Sequence, residues 1–202
     1  MLLHEKLDNI RLILASGSPR RRQLLTEAGL RFATAPRYRC DEEWPDTMAA
    51  ADVAPYLSQL KSTAYPSPLA DNEILVTADT VVIADGRVLG KPAGRDEAIV
   101  MLTLLSGRTH EVVTGVTLRS ASRTETFSAG SRVTFRPLSR EEIEYYVDTF
   151  SPYDKAGAYG IQEWIGYAAV ERIEGSFYNV MGLPVQRLYV ELERFLDQNL
   201  NR

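Results

Sequence analysis

The chain changes from strand to helix within a few residues near its start, and that junction constrains the fold more than any other feature. Residues 12–15, Leu-Ile-Leu-Ala, form a short apolar run with the character of a buried strand. Ser16-Gly17-Ser18 breaks it with small residues that let the backbone turn sharply and come close to a ligand. Ser18 is a good N-cap and Pro19 a good first helical residue, so a helix begins there and ends near Gly29. Leu24, Leu25 and Ala28 make its inner face. Its first turn carries Arg20, Arg21 and Arg22, although the macrodipole disfavours cations at that end. A polyanion bound at the helix start would explain the placement; a solvated basic helix start is the alternative.

The 202 residues suffice for one sizeable domain or two small ones. A formal net charge of −4 argues against a general nucleic-acid surface, which makes the arginine cluster a local anion site. Cys40 is the single cysteine, so no internal disulfide forms and a reducing compartment is expected. As a nucleophile it would have only His4 and His110 as histidine partners. No window reaches the roughly 18 apolar residues of a membrane span. Residues 1–10 mix charges of both signs and lack an apolar core of signal-peptide length. These features together indicate a cytoplasmic protein without membrane or nucleic-acid partners.

Residues 32–36 read as a short strand, and 38–43 as a loop with three adjacent acids, either solvated or a source of metal ligands. Asp52 caps a helix with Pro55 in its first turn and Val53, Tyr56, Leu57, Leu60 and Ala64 on the core face. Lys61 lies beside that stripe, where the surface is the simpler reading and an inward reach to phosphate the other. Residues 74–83 are β-branched and apolar, as in a strand buried on both faces, yet Asp79 stands in the middle. A lone carboxylate there is expensive unless paired, metal-bound or protonated, so Asp79 is a candidate metal ligand or general base.

Asp85-Gly86 marks a hairpin that returns through Val88 and Leu89 to Gly90-Lys91-Pro92, where Lys91 is held by rigid neighbours. A helix over 96–105 stops at Gly107, and strands follow over 110–119 and 124–137. Ser139 and Glu142 form a capping box. Residues 151–162 are too polar and glycine-rich for packed core and have the composition of a binding loop, with an ordinary surface loop as the equal alternative. Residues 166–173 read as a strand, and a last helix after Gly182-Leu183-Pro184 buries Val185, Leu188, Leu192 and Phe195. The order of elements implies a single α/β (α+β) domain over 1–202, with a mixed central sheet flanked by helices and pinched into two lobes around a cleft.

Arginines at a helix start, acids at Glu42 and Asp79, and lysines at 61 and 91 suit a phosphate–metal site. A divalent metal lowers the pKa of its water and offsets charge at the phosphorus, while a carboxylate takes the proton. The chain has no GxxxxGK[ST], GxSxG, HExxH or CxxC, which leaves metal-assisted hydrolysis of a phosphoanhydride.

Six motifs then occur in order: residues 14–21 (LASGSPRR), 78–82 (ADTVV), 90–92 (GKP), 105–107 (LSG), 154–162 (DKAGAYGIQ) and 182–184 (GLP). In these the chain resembles the Maf family of nucleoside triphosphate pyrophosphatases. The resemblance implies hydrolysis of a nucleoside triphosphate to monophosphate and pyrophosphate, with attack at the α-phosphorus and a Mg²⁺ or Mn²⁺ cofactor. It also implies a Maf/ITPase-like fold with a deep cleft, a cytoplasmic location and a homodimer. By motif position Asp79 becomes the general base and a metal ligand, and Glu42 a metal ligand with Glu43 as the alternative acid. Ser16, Arg20, Arg21, Lys61 and Lys91 become substrate and phosphate contacts. Arg20, Thr80 and Gln162 match the branch that takes dTTP and UTP. A branch acting on methylated GTP has Trp in place of Arg20 and lacks the 154–159 run. Thr77 departs from the glycine common before the Ala-Asp pair and crowds the backbone there; Ser62 replaces the usual alanine after Lys61. The reading is a house-cleaning enzyme that also removes modified pyrimidine nucleotides. Its rivals are a nucleotide-binding regulator of cell division without turnover and a phosphatase releasing orthophosphate.

Overall fold

The computed structural model describes residues 2–200. Strands β1 (Arg11–Leu14), β2 (Ala33–Thr34), β3 (Glu73–Ala84), β4 (Arg87–Leu89), β5 (Thr109–Arg119), β6 (Thr124–Phe135) and β7 (Val170–Glu174) are joined in one sheet. Its order is β2-β1-β3-β5-β6-β7, with β4 paired to β3. β1 runs parallel to both β2 and β3, whereas β4 on β3 and β7 on β6 are antiparallel, so the sheet is mixed. The helices are α1 (Leu3–Lys6), α2 (Pro19–Glu27), α3 (Ala50–Ala64), α4 (Arg95–Leu105), α5 (Arg140–Phe150), α6 (Trp164–Ala168), α7 (Phe177–Met181) and α8 (Val185–Leu200). Among the described residues no helix is long and apolar enough to cross a membrane. The chain groups into two compact units, one holding residues 2–79, 114–129 and 182–200, the other Thr80–Val113 and Gly130–Met181.

In the first unit the apolar run of β1 is buried as its composition requires, with Leu12, Ile13 and Leu14 all inside. Leu24 and Leu25 of α2 and Leu188, Leu192 and Phe195 of α8 join that core at helical spacing. Helix α3 begins after Ala49, which corrects the expectation of an Asp52 cap: Asp52 lies in the first turn instead. Pro55 is correspondingly inside the helix, and Val53, Ala54 and Leu57 are its buried face with Tyr56 and Leu60 only partly covered. The shift of that face has a clear cause at Gly115 of β5. A Cβ built on Gly115 would fall 2.3 Å from the Cα and N of Pro55, so α3 seats its backbone directly on a glycine notch.

In the second unit a two-residue turn with Asp85 at φ 50° and Gly86 at φ 74° closes the β3–β4 hairpin, the left-handed pair a tight hairpin needs. The capping box is reciprocal: Glu142 N–H donates to Ser139 Oγ at 3.2 Å, and Ser139 N–H donates to the Glu142 carboxylate at 2.8 Å. Two expectations fail here. Residues 166–173 are not one strand but the end of α6 followed by β7. Gly166 explains the difference, because its added Cβ would lie 1.6 Å from the Ile161 carbonyl oxygen, a closeness that a tight turn creates. The polar segment 151–162 is also not an exposed loop: Lys155 and residues 157–161 are buried. Helices α1 and α7 were not anticipated at all.

His110, Phe135 and Tyr159 form a buried edge-to-face cluster with ring centroids 5.0 to 5.4 Å apart. His110 Nε2 and the Tyr159 hydroxyl are 2.7 Å apart. Burial pushes the imidazole down from its ordinary 6.5 to about 4, so the fold selects its neutral form. The stability tied to that form is complete above pH 6.5 and drains away as pH falls toward 4, because the unfolded chain binds the proton first. Urea unfolding of His110→Gln against the parent should show the two stability curves converging between those pH values. Gly115→Ala should cost about 3 kcal/mol in the same assay, since the notch is lined by backbone that cannot rotate away.

Candidate functional site

In the first unit the strand-to-helix junction is built around Arg21. Ser18 occupies the N-cap position of α2 without a side-chain cap bond; its N–H donates instead to Ser16 Oγ at 3.2 Å. Arg21 turns inward and is buried. Its Nε donates to the Gly182 carbonyl at 2.7 Å, and its Nη1 donates to the Ala78 carbonyl at 2.8 Å and to Ser16 Oγ at 3.3 Å. The solvated reading of the basic helix start therefore does not hold for Arg21. Burial pulls its guanidinium below the ordinary arginine value, while the Asp79 carboxylate, and less strongly Glu42, push it back up.

Lys61 likewise points inward rather than to the surface. Its ammonium pairs with Asp79 Oδ1 and lies 2.9 Å from Glu42 Oε2. Asp79, in mid-strand, is 13% exposed on its side chain and Glu42, on the irregular loop, 48%. Two carboxylates thus converge on a single cation position. Glu43 beside them is exposed. Among the described residues no group of three or more His, Cys, Asp or Glu side chains could hold a metal. A pair of carboxylates fits Mg²⁺ or Mn²⁺, which take one or two protein oxygens and complete their shell with phosphate and water.

The floor of this cluster includes a residue that sequence reasoning missed. The Tyr38 hydroxyl donates to the Lys61 carbonyl at 2.8 Å, and its ring meets Tyr65 edge-on at 5.6 Å. Burial pushes the phenol up to about 12, so it remains a donor. Burial also pushes the Cys40 thiol above 9.0, with the Glu42 carboxylate adding to the shift, which leaves no thiolate for nucleophilic chemistry.

In the second unit the 154–163 segment is held from within. The Tyr146 hydroxyl donates to Glu163 Oε2 and accepts the Gly160 N–H at 3.0 Å. Lys155, 8% exposed, reaches Glu163 Oε1 at 3.0 Å and Asp154 Oδ1 at 2.7 Å. Gly157 N–H donates to the Gly90 carbonyl at 3.0 Å, which ties the GKP turn to this segment. Gly157 has a φ of 66°, and its added Cβ would meet Val82 at 2.9 Å, so this contact too requires glycine. Lys91 is exposed, and Thr80 is half-buried on β3. Gln162 has a buried Oε1 with no hydrogen-bond partner among the described residues. Tyr146 and Glu163 were also missed; a tyrosine on the inner face of α5, whose hydroxyl needs a partner, was the available signal.

The structure therefore brings Ser16, Arg21, Glu42, Lys61 and Asp79 together, with Arg20 one residue before Arg21 on α2. Thr80, Lys91 and Gln162 belong to the second unit. A carboxylate–lysine cluster beside a basic helix start, on a mixed α/β sheet, belongs to the broad class of proteins that handle phosphorylated ligands. The profile of the Maf-like proteins matches residues 11–195, and the chain belongs to the Maf family. A dTTP/UTP pyrophosphatase of Porphyromonas gingivalis is 52% identical over 96% of this chain and 100% of its own. A dTTP/UTP pyrophosphatase of Bacteroides thetaiotaomicron is 50% identical over 93% of this chain and 97% of its own. The solved structure of a HAM1 protein from Coxiella burnetii aligns with 92% of this chain and 99% of its own at 14% identity and a TM-score of 0.43.

Arg21→Met would strand the Ala78 and Gly182 carbonyls inside the protein. Chemical denaturation should record a loss of about 3 kcal/mol, and Arg21→Lys should recover only part of it, because an ammonium lacks the planar fork.

Proposed function

We propose that this protein is a nucleoside triphosphate pyrophosphatase that hydrolyses dTTP and UTP, and modified pyrimidine nucleotides, to the monophosphate and pyrophosphate. The observation that carries the reading is the convergence of Asp79, Lys61 and Glu42 within a Maf-family chain. Relatives about half identical over most of their length carry the name dTTP/UTP pyrophosphatase, which supports the same substrates here.

In this reading Asp79 is the general base. It takes a proton from the water whose oxygen attacks the α-phosphorus; the bond from that phosphorus to the bridging oxygen breaks, and pyrophosphate leaves. Lys61, held against Asp79, places positive charge where the phosphates arrive. Arg21 keeps a buried charge beside Asp79 and donates to Ser16 Oγ, and Ser16 takes a phosphate contact by its motif position. Glu42 and Asp79 would hold Mg²⁺ or Mn²⁺, which when bound supplies charge neutralisation at phosphorus and acidifies a coordinated water. Lys91 takes a phosphate contact by its motif position, and Arg20, Thr80 and Gln162 select the pyrimidine base by theirs. We also read the protein as cytoplasmic and homodimeric; the single cysteine supports the first and family membership the second.

Incubation with dTTP, UTP and GTP in Mg²⁺ or Mn²⁺, with pyrophosphate resolved from orthophosphate, tests the reading. Pyrophosphate should appear with monophosphate, faster from the pyrimidines. Asp79→Asn should lower turnover by about 100-fold or more while nucleotide binding by calorimetry persists. Orthophosphate as the product, or an equally active Asp79→Asn, would overturn the mechanism.

A further inference from the structure

The Lys61–Asp79 pair and a bond between Thr77 and Ser58 join α3 to β3 side by side. Thr77 precedes Asp79 by two residues, so the two side chains share a face of the strand. Ser58 precedes Lys61 by three, so these two share a face of the helix. The Thr77 hydroxyl donates to the Ser58 carbonyl at 2.7 Å, and both residues are fully buried. Strand and helix therefore meet at two adjacent rungs, about 6.7 Å apart along the strand and about 4.5 Å apart along the helix. The buried rung continues to Thr117 on β5 and from there outward to the exposed Thr126 on β6. Ser58 Oγ donates to the Pro55 carbonyl at 2.8 Å and lies 2.9 Å from Thr117 Oγ1, which is itself 2.9 Å from Thr126 Oγ1.

This hydroxyl ladder sets where along β3 the helix rests. Lysine is long and has many rotamers, so its ammonium finds one carboxylate reproducibly only if the helix that carries it is fixed. The Thr77 rung does this from the same strand that presents Asp79, so any error in helix position enters the pair directly. We propose that Thr77 is a positioning residue, whose bond to the Ser58 carbonyl fixes α3 in the register that sets the Lys61 ammonium against Asp79. The inference rests on the pyrophosphatase reading for its consequence in turnover, but the placement of the ammonium can be tested without it.

Thr77→Val keeps the β-branched shape and deletes the donor. With ¹⁵N-labelled lysine, the Lys61 ammonium resonance of the parent should be shielded from solvent exchange, and in Thr77→Val it should broaden or move. For dTTP, kcat should fall about tenfold with KM changed less than about twofold, and Thr77→Ser should restore kcat to within about twofold of the parent. In a Lys61→Met background, adding Thr77→Val should lower kcat no further. An unchanged ammonium resonance and kcat in Thr77→Val would overturn the proposal, as would the same fractional loss in both backgrounds. If Thr77→Val does not fold, Thr77→Ser against Thr77→Ala carries the same comparison. A parent protein that releases no pyrophosphate would refute the function reading alone, because the ammonium resonance still decides the position of Lys61.

Discussion

The organisation of the first unit depends on a buried guanidinium. Taking a cation out of water is costly unless every donor finds an acceptor. Arg21 donates to two backbone carbonyls and a hydroxyl drawn from three separate places: Ala78 on β3, Gly182 ahead of α8, and Ser16 in the turn. Because backbone carbonyls cannot rotate away, the charge holds those segments at set distances. One of them is the residue immediately before Asp79. The first turn of α2 thus positions the Asp79 carboxylate through main-chain contacts, while its own charge stays beside it.

The cluster around Lys61 is built on the opposite principle. Its two carboxylates come from structures of different stiffness, a central strand and an irregular loop, and meet on one ammonium. The two carboxylates outnumber the one ammonium between them, and the Arg21 guanidinium beside Asp79 offsets the excess.

Much of this was legible from the sequence where periodicity or special backbone chemistry spoke directly. The spacing of Leu188, Leu192 and Phe195 revealed α8, Asp85-Gly86 the hairpin, Ser139 and Glu142 the start of α5, and Asp79 its own peculiarity inside an apolar strand. Helices α1 and α7 span four and five residues, too short to repeat a pattern. Residues 151–162 read as solvent-exposed because a sequence shows polar groups but not their partners: Lys155, Glu163 and Tyr146 satisfy one another and so enter the interior. The direction of Lys61 was equally hidden, since both surface and inward lysines sit beside an apolar stripe. Thr77 read as crowding before the Ala78-Asp79 pair, and its bond to α3 turns that excess bulk into a contact.

The Tyr146 hydroxyl, donor to Glu163 and acceptor from Gly160, has a consequence for the energetics of recognition. Burial holds its phenol far above the usual tyrosine range, so no cellular alkalinity removes the proton that makes the link. The segment before Gln162 is therefore ordered when the chain folds, and its conformational entropy is surrendered then, once, rather than at each encounter with a ligand. A ligand that met such a segment would find its shape already set, and a mismatch would be expressed in how fast the wrong molecule departs.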